Sequence, residues 1–337
     1  MTATIGELCA GYGGLGMGVS RVIDAEVAWY SEIDKGALKV LEHRFPWAPN
    51  HGDMTVLDWG SVPPVDILCA GYPCQPFSHA GKRKGANDSR HLWPYIREAI
   101  RRLRPNLTIL ENVSGHRSLG FDRVLGDLAE DGMDVAWTSV RAADIGAPHR
   151  RERVFIAVTP NDDGEGLRGL GRIDPIGRHA DGRDRADGSG APTKPAPLFP
   201  TPAVNDMGSR KTVEDWDAWT ERMKERRVNG NGHGKSLSIE VRKAPTSWGT
   251  YRDAVLAWEQ HSGRQAPRPV EPAPEGGARL APAFSEWMMG LPAGWVTDVP
   301  GITRNEALRA LGNGVVPQQA AAAVSFLLDV LSERVAA

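Results

Sequence analysis

Residues 5–16, Ile-Gly-Glu-Leu-Cys-Ala-Gly-Tyr-Gly-Gly-Leu-Gly, decide the fold of this chain. The pattern predicts a strand that runs into a glycine-rich turn and then into a helix. Glycines in such a turn let the backbone approach a ligand without a Cβ in the way. Gly11, Gly13 and Gly16 also fit the dinucleotide-binding spacing G-x-G-x-x-G, although such a turn can equally serve tight packing of a strand against a helix.

Short apolar runs continue this rhythm through residue 160. The runs that we interpret as strands are residues 5–9, 27–30, 66–70, 107–110, 135–140 and 154–158. Helix-like segments separate them. The alternation predicts an α/β domain with a mostly parallel sheet.

Length and composition indicate a globular protein. The chain has 337 residues, of which 41% are hydrophobic, and this is enough for about two domains of roughly 150 residues each. No apolar stretch approaches the roughly 20 residues that span a bilayer, and no targeting segment opens the chain. We therefore expect a cytoplasmic protein without membrane attachment. Since the net charge is −2, any nucleic-acid binding must depend on local basic segments.

The three cysteines, Cys9, Cys69 and Cys74, form no C-x-x-C pair and have no histidine cluster near them in sequence. We therefore expect no disulfide framework and no metal site.

The chain changes character after the predicted α/β domain. Residues 162–202 mix Gly, Pro, Arg and Asp without a period, which is typical of a long mobile loop or linker. Capping boxes at Thr212 with Asp215 and at Thr250 with Asp253 then predict two helices in a smaller, tryptophan-rich module. The strongly helical stretch 318–335 is expected to pack on the larger domain.

Two acidic residues follow the glycine-rich turn at informative distances. Glu32 comes after the second strand, roughly 20 residues beyond the glycines, where a carboxylate can accept hydrogen bonds from ribose hydroxyls. Asp53 follows a plausible third strand and could accept a hydrogen bond from an adenine amino group. Together they predict a nucleoside site, although each one alone fits an ordinary solvated carboxylate equally well.

A cysteine follows the apolar run 66–70, in the sequence Tyr72-Pro73-Cys74-Gln75. A thiol at the exposed end of a buried strand, held between Pro73 and Pro76, is placed to act as a nucleophile. The thiolate is the reactive form, and positive neighbours favour it. Cys9 and Cys69, by contrast, are expected to be inert packing residues.

A glutamate after one predicted strand and a pair of arginines before another are further candidate site residues. Glu111 stands at the carboxyl end of the next strand, where open α/β sheets bind ligands, or else it is a helix cap or a loop charge. Arg151 and Arg153 alternate ahead of residues 154–158 and are expected to share one face. Two guanidinium groups there either orient an anion or discourage edge-to-edge aggregation.

With these motifs the chain resembles the cytosine-5 DNA methyltransferases. The family's Phe-x-Gly-x-Gly-Gly, Pro-Cys-Gln, Glu-Asn-Val, Gln-x-Arg-x-Arg and Gly-Asn-x-Val are matched, in family order, by residues 9–14, 73–75, 111–113, 149–153 and 312–315. The resemblance implies a Rossmann-like class I S-adenosylmethionine-dependent methyltransferase fold with a smaller inserted target-recognition domain. It implies a catalytic and cofactor-binding domain over 1–160, a linker and recognition domain over 161–283, and a C-terminal segment, 284–337, that returns to the catalytic domain.

The resemblance also implies a cofactor site. The methyl donor would be S-adenosylmethionine, with S-adenosylhomocysteine as product. The implied cofactor-binding residues are Cys9, Ala10, Gly11, Gly13, Gly14, Glu32, Ile33, Asp53, Met54, Pro73 and Asn313.

The implied chemistry has a role for each catalytic residue. Cys74 would attack C6 of the target cytosine while Glu111 protonates or hydrogen-bonds N3. Asn112 would help to fix the base, Arg151 would orient the pyrimidine through its O2, and Arg153 would support the glutamate or a phosphate. Because these base atoms are unreachable inside a duplex, the cytosine must be flipped out.

The partner implied by the resemblance is double-stranded DNA. The basic, glycine-hinged segment 78–85 would be a lid that closes on the phosphates. The implied DNA contacts are Gln75, Ser78, Lys82, Arg83 and Lys84. We expect a monomer that either accompanies a cognate restriction enzyme or acts alone.

Several departures from the family pattern leave alternatives open. Cys9 replaces an aromatic residue, Ile33 stands where a tryptophan usually contacts the adenine, and His149 replaces a glutamine. Residues 284–292 follow the family's ninth motif only loosely, so we expect them to organise the recognition domain. The alternatives are a catalytically silent DNA-binding relative, an RNA cytosine-5 methyltransferase, and a nicotinamide or flavin oxidoreductase. The long insertion favours duplex DNA, and the oxidoreductase leaves residues 73–75 and 111–113 unexplained.

Overall fold

A computed structural model describes residues 2–72, 92–118, 120–161, 164–170, 197–204, 206, 208–209, 211–225, 235–243, 247–274 and 276–336. The chain divides into two compact units. Unit 1 consists of Met1–Arg141, Glu152–Ser189 and Gly314–Ala337, and unit 2 consists of Ala142–Arg151 and Gly190–Asn313.

Strands and helices alternate through the first half of the chain. The strands are β1 Ala3–Leu8, β2 Ala25–Ser31, β3 Ile67–Gly71, β4 Leu107–Val113, β5 Met133–Arg141, β6 Glu152–Pro160, β7 Val270–Pro272 and β8 Ala278–Leu280. The helices are α1 Gly14–Val19, α2 Lys35–Arg44, α3 Trp93–Leu103, α4 Phe121–Glu130, α5 Glu165–Gly169, α6 Val213–Glu225, α7 Leu237–Lys243, α8 Arg252–Ser262, α9 Pro282–Met288, α10 Arg304–Asn313 and α11 Pro317–Ala336.

Unit 1 is built on a mixed sheet in the order β2-β1-β3-β4-β6-β5. The pairs β1–β2, β1–β3 and β3–β4 are parallel, whereas β6 is antiparallel to both β4 and β5. Each apolar run that the sequence predicts as a strand forms one, and the α/β class with a mostly parallel sheet is confirmed.

Alternating side chains of the central strands enter two separate cores. Ile67 and Cys69 belong to the core that contains side chains of α1 and α11, while Leu68 and Ala70 belong to the core that contains side chains of α3 and α4. A strand that is buried on both faces needs an almost continuous apolar sequence. This is why residues 65–71 contain so few polar residues.

The C-terminal helix α11 lies in the interior of unit 1. Within the described residues, the stretch Arg304–Arg334 is long and apolar enough to cross a membrane by composition, but 67% of its apolar window is buried. Burial of this kind is typical of a core helix. The prediction that residues 318–335 form a helix is confirmed by α11.

Two local predictions in unit 1 are corrected. Among the described residues, no third strand lies between β2 and Asp53, because the chain there makes only an isolated bridge between Tyr30 and Asn50. Strand β4 does not end at Leu110, since its pairing with antiparallel β6 carries it through Val113. Glu111 is therefore a strand residue.

Unit 2 contains α6 to α10 and the β7–β8 hairpin. Helix α6 begins as predicted, with the Asp215 N–H donating to Thr212 Oγ1 at 3.0 Å. The predicted capping box at Thr250 is wrong, because α8 begins at Arg252 after a 3₁₀ turn and its N-cap, Tyr251, makes no side-chain capping bond.

A buried carboxylate organises the loop that follows α9. Glu286 accepts hydrogen bonds from the N–H groups of Gly294, Val296 and Thr297, at 2.8, 2.6 and 3.0 Å. Such bonds satisfy a charge that is only 1% exposed. Residues 284–313 belong to unit 2 and residues 314–337 to unit 1, so the compact units and the predicted domains have different boundaries. The predicted 162–202 linker lies mostly outside the described residues.

Candidate active site

The turn between β1 and α1 has the backbone of a ligand cradle. Cys9, Gly11 and Gly13 have φ angles of 51°, 61° and 82°, in the region that favours glycine. A Cβ built on Gly11 would meet no atom within 4 Å, whereas one on Gly13 would lie 2.7 Å from the Phe45 ring. The open side of this turn is therefore at Gly11. Ala10 and Gly14, also predicted in the site, are buried beside it.

Glu32 fixes this turn to the end of β2. Its Oε2 accepts a hydrogen bond from the Gly11 N–H at 2.8 Å. Its Oε1 accepts from the N–H groups of Ile33 and Asp34, both at 2.8 Å. The carboxylate therefore orders the glycine turn and the start of α2 together, a role that the sequence did not predict.

Ile33 and Asp53 lie near the same turn. Ile33 is 66% exposed, which is unusual for an isoleucine and leaves an apolar surface beside the Glu32 carboxylate. Burial raises the pKa of the Cys9 thiol, and the negative charges of Glu32 and Asp53 raise it further. The Ser31 hydroxyl donates to the Gly52 carbonyl at 2.6 Å, so the loop that carries Asp53 lies beside the end of β2, which Glu32 follows. Met54, the next predicted residue, is buried.

The Asp53 side chain also shapes its own loop. Its Oδ1 accepts hydrogen bonds from the N–H and the hydroxyl of Thr55, at 2.9 and 2.8 Å. The side chain itself is exposed. An adenosyl group would fit beside the open backbone at Gly11, the Glu32 carboxylate and the exposed side chain of Ile33.

The reacting end of the predicted site lies where β3 ends beside Glu111 of β4. Gly71 pairs with Glu111 across these parallel strands. Glu111 is 7% exposed, and its Oε2 would lie 3.6 Å from a Cβ built on Gly71. The predicted nucleophile and the predicted lid follow β3 directly but lie outside the described residues: Pro73, Cys74, Gln75, Ser78, Lys82, Arg83 and Lys84.

Arg153 forms an ion pair with Glu111. The distance from Arg153 Nε to Glu111 Oε1 is 2.8 Å, and the two side chains are 16% and 9% exposed. The pair joins β6 to β4, and a charge-assisted hydrogen bond of this type fixes the orientation of the carboxylate. Of the two roles predicted for Arg153, this contact corresponds to support of the glutamate.

Asn112 acts on the backbone beside the predicted nucleophile. Its Nδ2 donates to the Tyr72 carbonyl at 3.2 Å, and its Oδ1 accepts from the Val113 N–H at 2.8 Å. Tyr72 in turn lies with its hydroxyl 3.0 Å from Nε2 of His116. No sequence pattern singled out His116, since a lone histidine after a strand carries no signal of its own.

Arg151 is not part of β6, and its predicted alternation with Arg153 on one face is therefore wrong. Strand β6 begins at Glu152, and Arg151 has a φ of 24°. Its guanidinium donates to the carbonyls of Pro202 and Gly312, each at 3.3 Å. Arg151 therefore holds the backbone of unit 2 next to Asn313, an exposed residue at the end of α10.

His149 is buried in unit 2. Its Nε2 lies 2.9 Å from the carbonyl of Met288. This contact gives the buried imidazole a hydrogen-bonding partner within unit 2.

Comparison with known proteins decides the family. Residues 3–326 match the family model described as C-5 cytosine-specific DNA methylase. The chain belongs to this family. It is thus a DNA cytosine-5 methyltransferase that uses S-adenosylmethionine, and the predicted class I methyltransferase fold is confirmed.

Similar curated proteins are bacterial. The type II methyltransferase M1.ScrFI of Lactococcus lactis subsp. cremoris is 27% identical over 97% of this chain and 78% of its own length. The type II methyltransferase M.NlaX of Neisseria lactamica is 29% identical over 96% of this chain and 97% of its own.

Solved structures share the fold of this methyltransferase at low identity. The Dnmt2 methyltransferase of S. pombe has a TM-score of 0.57 and 16% identity, and covers 98% of this chain and 99% of its own. The Entamoeba histolytica methyltransferase EhMeth has a TM-score of 0.56 and 15% identity, with coverage of 98% and 99%.

Proposed function

We propose that this methyltransferase modifies C5 of a flipped cytosine in a specific duplex DNA sequence, through a covalent bond between Cys74 Sγ and C6. The observation that carries the proposal is the buried Glu111–Arg153 ion pair between β4 and β6, because Glu111 pairs with Gly71 at the end of β3, and β3 leads into Cys74. A carboxyl group in β4 and a nucleophile that follows β3 can reach different atoms of one pyrimidine ring.

The chemistry follows from the weak nucleophilicity of cytosine C5. Addition of the Cys74 thiolate to C6 breaks the C5–C6 double bond, while Glu111 takes up a proton from solvent and passes it to N3. The resulting enamine makes C5 nucleophilic. S-adenosylmethionine, when bound, supplies a methyl group on a positively charged sulfur. A base then removes the C5 proton, N3 gives its proton back to Glu111, the C5–C6 double bond forms again, and Cys74 leaves as the thiolate.

The remaining predicted residues have supporting roles in the proposal. The turn at Gly11, with Glu32, Ile33 and Asp53, would hold the adenosyl part of the donor. Asn112 would keep the Cys74 segment beside Glu111, and its hydrogen bond to the Tyr72 carbonyl supports this role. Arg151 would orient the pyrimidine through its O2. Within unit 2, its guanidinium donates to the carbonyl of Gly312, the residue before Asn313.

The proposed substrate is duplex DNA, contacted by the basic lid over residues 78–85, and the proposed location is the cytoplasm. The type II names of the bacterial relatives support a role in DNA modification, with or without a cognate restriction enzyme.

Covalent trapping tests the proposal. Duplex DNA that contains 5-fluorocytosine blocks the final proton removal, so the wild-type protein is expected to form a complex that survives denaturing electrophoresis. Cys74→Ala is expected to abolish both this complex and methyl transfer from radiolabelled S-adenosylmethionine. Cys69→Ala is the matched control, because this buried thiol lies in β3 and is expected to leave trapping intact.

Two outcomes would overturn the assignment. Trapping that persists in Cys74→Ala would show that another group adds to C6. Methylation of tRNA in preference to DNA would replace the proposed substrate with RNA.

A further inference from the structure

Tyr72 and His116 connect the segments that carry the proposed nucleophile and acid. Tyr72 directly follows β3 and precedes Cys74 by two residues. His116 lies in the 3₁₀ turn Ser114–Ser118, which follows β4 and therefore Glu111. The Tyr72 hydroxyl and His116 Nε2 are 3.0 Å apart, in hydrogen-bonding contact.

The Tyr72–His116 pair is enclosed in the protein. Tyr72 is 6% exposed and His116 is 2% exposed. Their rings stand perpendicular, with centroids 5.8 Å apart. Trp93 packs beside Tyr72 at 6.4 Å and Phe121 packs beside His116 at 5.9 Å. Buried polar groups are nearly always hydrogen-bonded, and this contact gives the Tyr72 hydroxyl and the His116 imidazole a partner in each other.

A second hydrogen bond acts on Tyr72 from the same side. Asn112 Nδ2 donates to the Tyr72 carbonyl at 3.2 Å. The backbone and the side chain of Tyr72 are thus both held by the segment that follows Glu111. Tyr72 is therefore a fixed point from which the chain continues toward Cys74 in the sequence.

Such restraint matters because the reaction acts on one ring at two atoms. A displacement of about 1 Å in a reacting group can reduce the rate by about 100-fold. Strand pairing between Gly71 and Glu111 aligns the two backbones only as far as the end of β3. After Gly71, Tyr72 continues the contact with the β4 segment through its hydrogen bonds to His116 and Asn112.

We propose that Tyr72 and His116 are positioning residues, whose hydrogen bond fixes the residue that follows β3 to the turn that follows β4 and so supports the attack of Cys74 on the cytosine. The inference rests on the proposed role of Cys74 as the nucleophile. It assigns no contact with the base or with the cofactor to either residue.

The test measures the single-turnover rate of covalent trapping on 5-fluorocytosine DNA. Tyr72→Phe and His116→Leu each remove one hydrogen-bonding partner and are expected to slow trapping at least 10-fold. The dissociation constants for S-adenosylmethionine and DNA are expected to stay within twofold of the wild type. Since both variants break the same bond, the double variant should be no slower than the slower single variant.

Two further variants separate positioning from general stability. His116→Gln keeps a side-chain hydrogen-bonding group and is expected to recover most of the trapping rate that His116→Leu loses. Tyr95→Phe is the matched control, because this tyrosine lies on α3 and is 39% exposed, and its trapping rate should equal that of the wild type.

The possible failures are distinguishable. If the wild type does not trap, the proposed function itself fails. If the wild type traps and Tyr72→Phe traps equally fast, the positioning role is wrong. It is also wrong if the two single effects add in the double variant, or if His116→Gln is as slow as His116→Leu while all variants are fully folded by circular dichroism.

Discussion

Glu7 is a carboxyl group buried in β1 beneath the start of α1. It is 2% exposed, and its Oε1 accepts a hydrogen bond from the Gly16 N–H at 3.2 Å. Burial raises its pKa from 4.5 to about 7, against the opposing effect of backbone hydrogen bonds from Gly16 and Leu15. Glu7 thus contacts the first turn of α1, the helix that follows the glycine-rich turn. The proposed mechanism does not use Glu7.

Glu7→Gln is expected to change the pH dependence of stability. Because the folded-state pKa lies above the unfolded value, ionisation of Glu7 costs stability as the pH rises from 4.5 to about 7. Glutamine cannot ionise, so its advantage over the wild type should grow across this window and level off above it, at no more than about 3 kcal/mol. Urea unfolding at pH 5, 6 and 8 measures this difference.

The control for Glu7 is Glu26→Gln, which changes an exposed carboxyl group on β2. Its effect on stability should be nearly constant with pH. A constant difference for Glu7→Gln as well would contradict a raised pKa at Glu7.

At the scale of elements, Tyr12 connects the glycine-rich turn to the segment that precedes α11. Its hydroxyl donates to the Val315 carbonyl at 2.7 Å, and the residue is fully buried. A Cβ on Gly314 would lie 1.9 Å from the Tyr12 ring, and one on Gly14 would lie 2.4 Å from the Val315 carbonyl oxygen. The glycines of two distant motifs therefore allow one tyrosine to fit between them.

Gly314→Ala is expected to destabilise unit 1 and to weaken the binding of S-adenosylmethionine. Overpacking of this kind costs about 2–3 kcal/mol, and displacement of Tyr12 would disturb the turn at Gly11. Tyr12→Phe should cost about 1–3 kcal/mol, because it leaves the buried Val315 carbonyl without this donor. Urea unfolding and calorimetric titration with S-adenosylmethionine measure both effects.

The control for Gly314 is Gly126→Ala, at an exposed position in α4 where a Cβ meets nothing within 4 Å. It is expected to stabilise the protein by up to about 1 kcal/mol through helix propensity. A Gly314→Ala variant that behaves like Gly126→Ala would show that Tyr12 is not tightly held.

Local sequence patterns predicted the strands of unit 1 well, because buried parallel strands require continuous apolar runs. They did not predict that β4 continues through Val113, since that depends on pairing with β6, about 40 residues later in the chain. The predicted alternation of Arg151 with Arg153 was wrong because Arg151 lies before β6 and contacts backbone carbonyls far along the chain, at Pro202 and Gly312. The motifs identified Glu111 and Arg153, but the role of His116 depends on a contact with a residue 44 positions away.

At the scale of the whole molecule, binding to DNA has to overcome a net charge of −2. The proposed lid supplies Lys82, Arg83 and Lys84 within a few residues. Replacing all three with alanine is expected to reduce the slope of log K against log salt concentration by up to about 2.7, since each phosphate that a side chain neutralises adds about 0.9 to the slope. Fluorescence anisotropy with labelled duplex DNA at several KCl concentrations measures the slope.

The control for the lid is Arg102→Ala, whose charge is already paired with Glu98 at 2.7 Å. Its slope should match that of the wild type. An unchanged slope in the triple alanine variant would show that the lid cations do not bind phosphates.

The division of the chain into units has a consequence for synthesis on the ribosome. Helix α11 contributes to one of the two cores of unit 1, yet Gly190–Asn313 of unit 2 must be translated before it. At about 5–20 residues per second, this interval lasts on the order of ten seconds. During that time, a nascent chain that has already formed its strands exposes an apolar sheet face. Synthesis of α11 thus supplies the last side chains of this core.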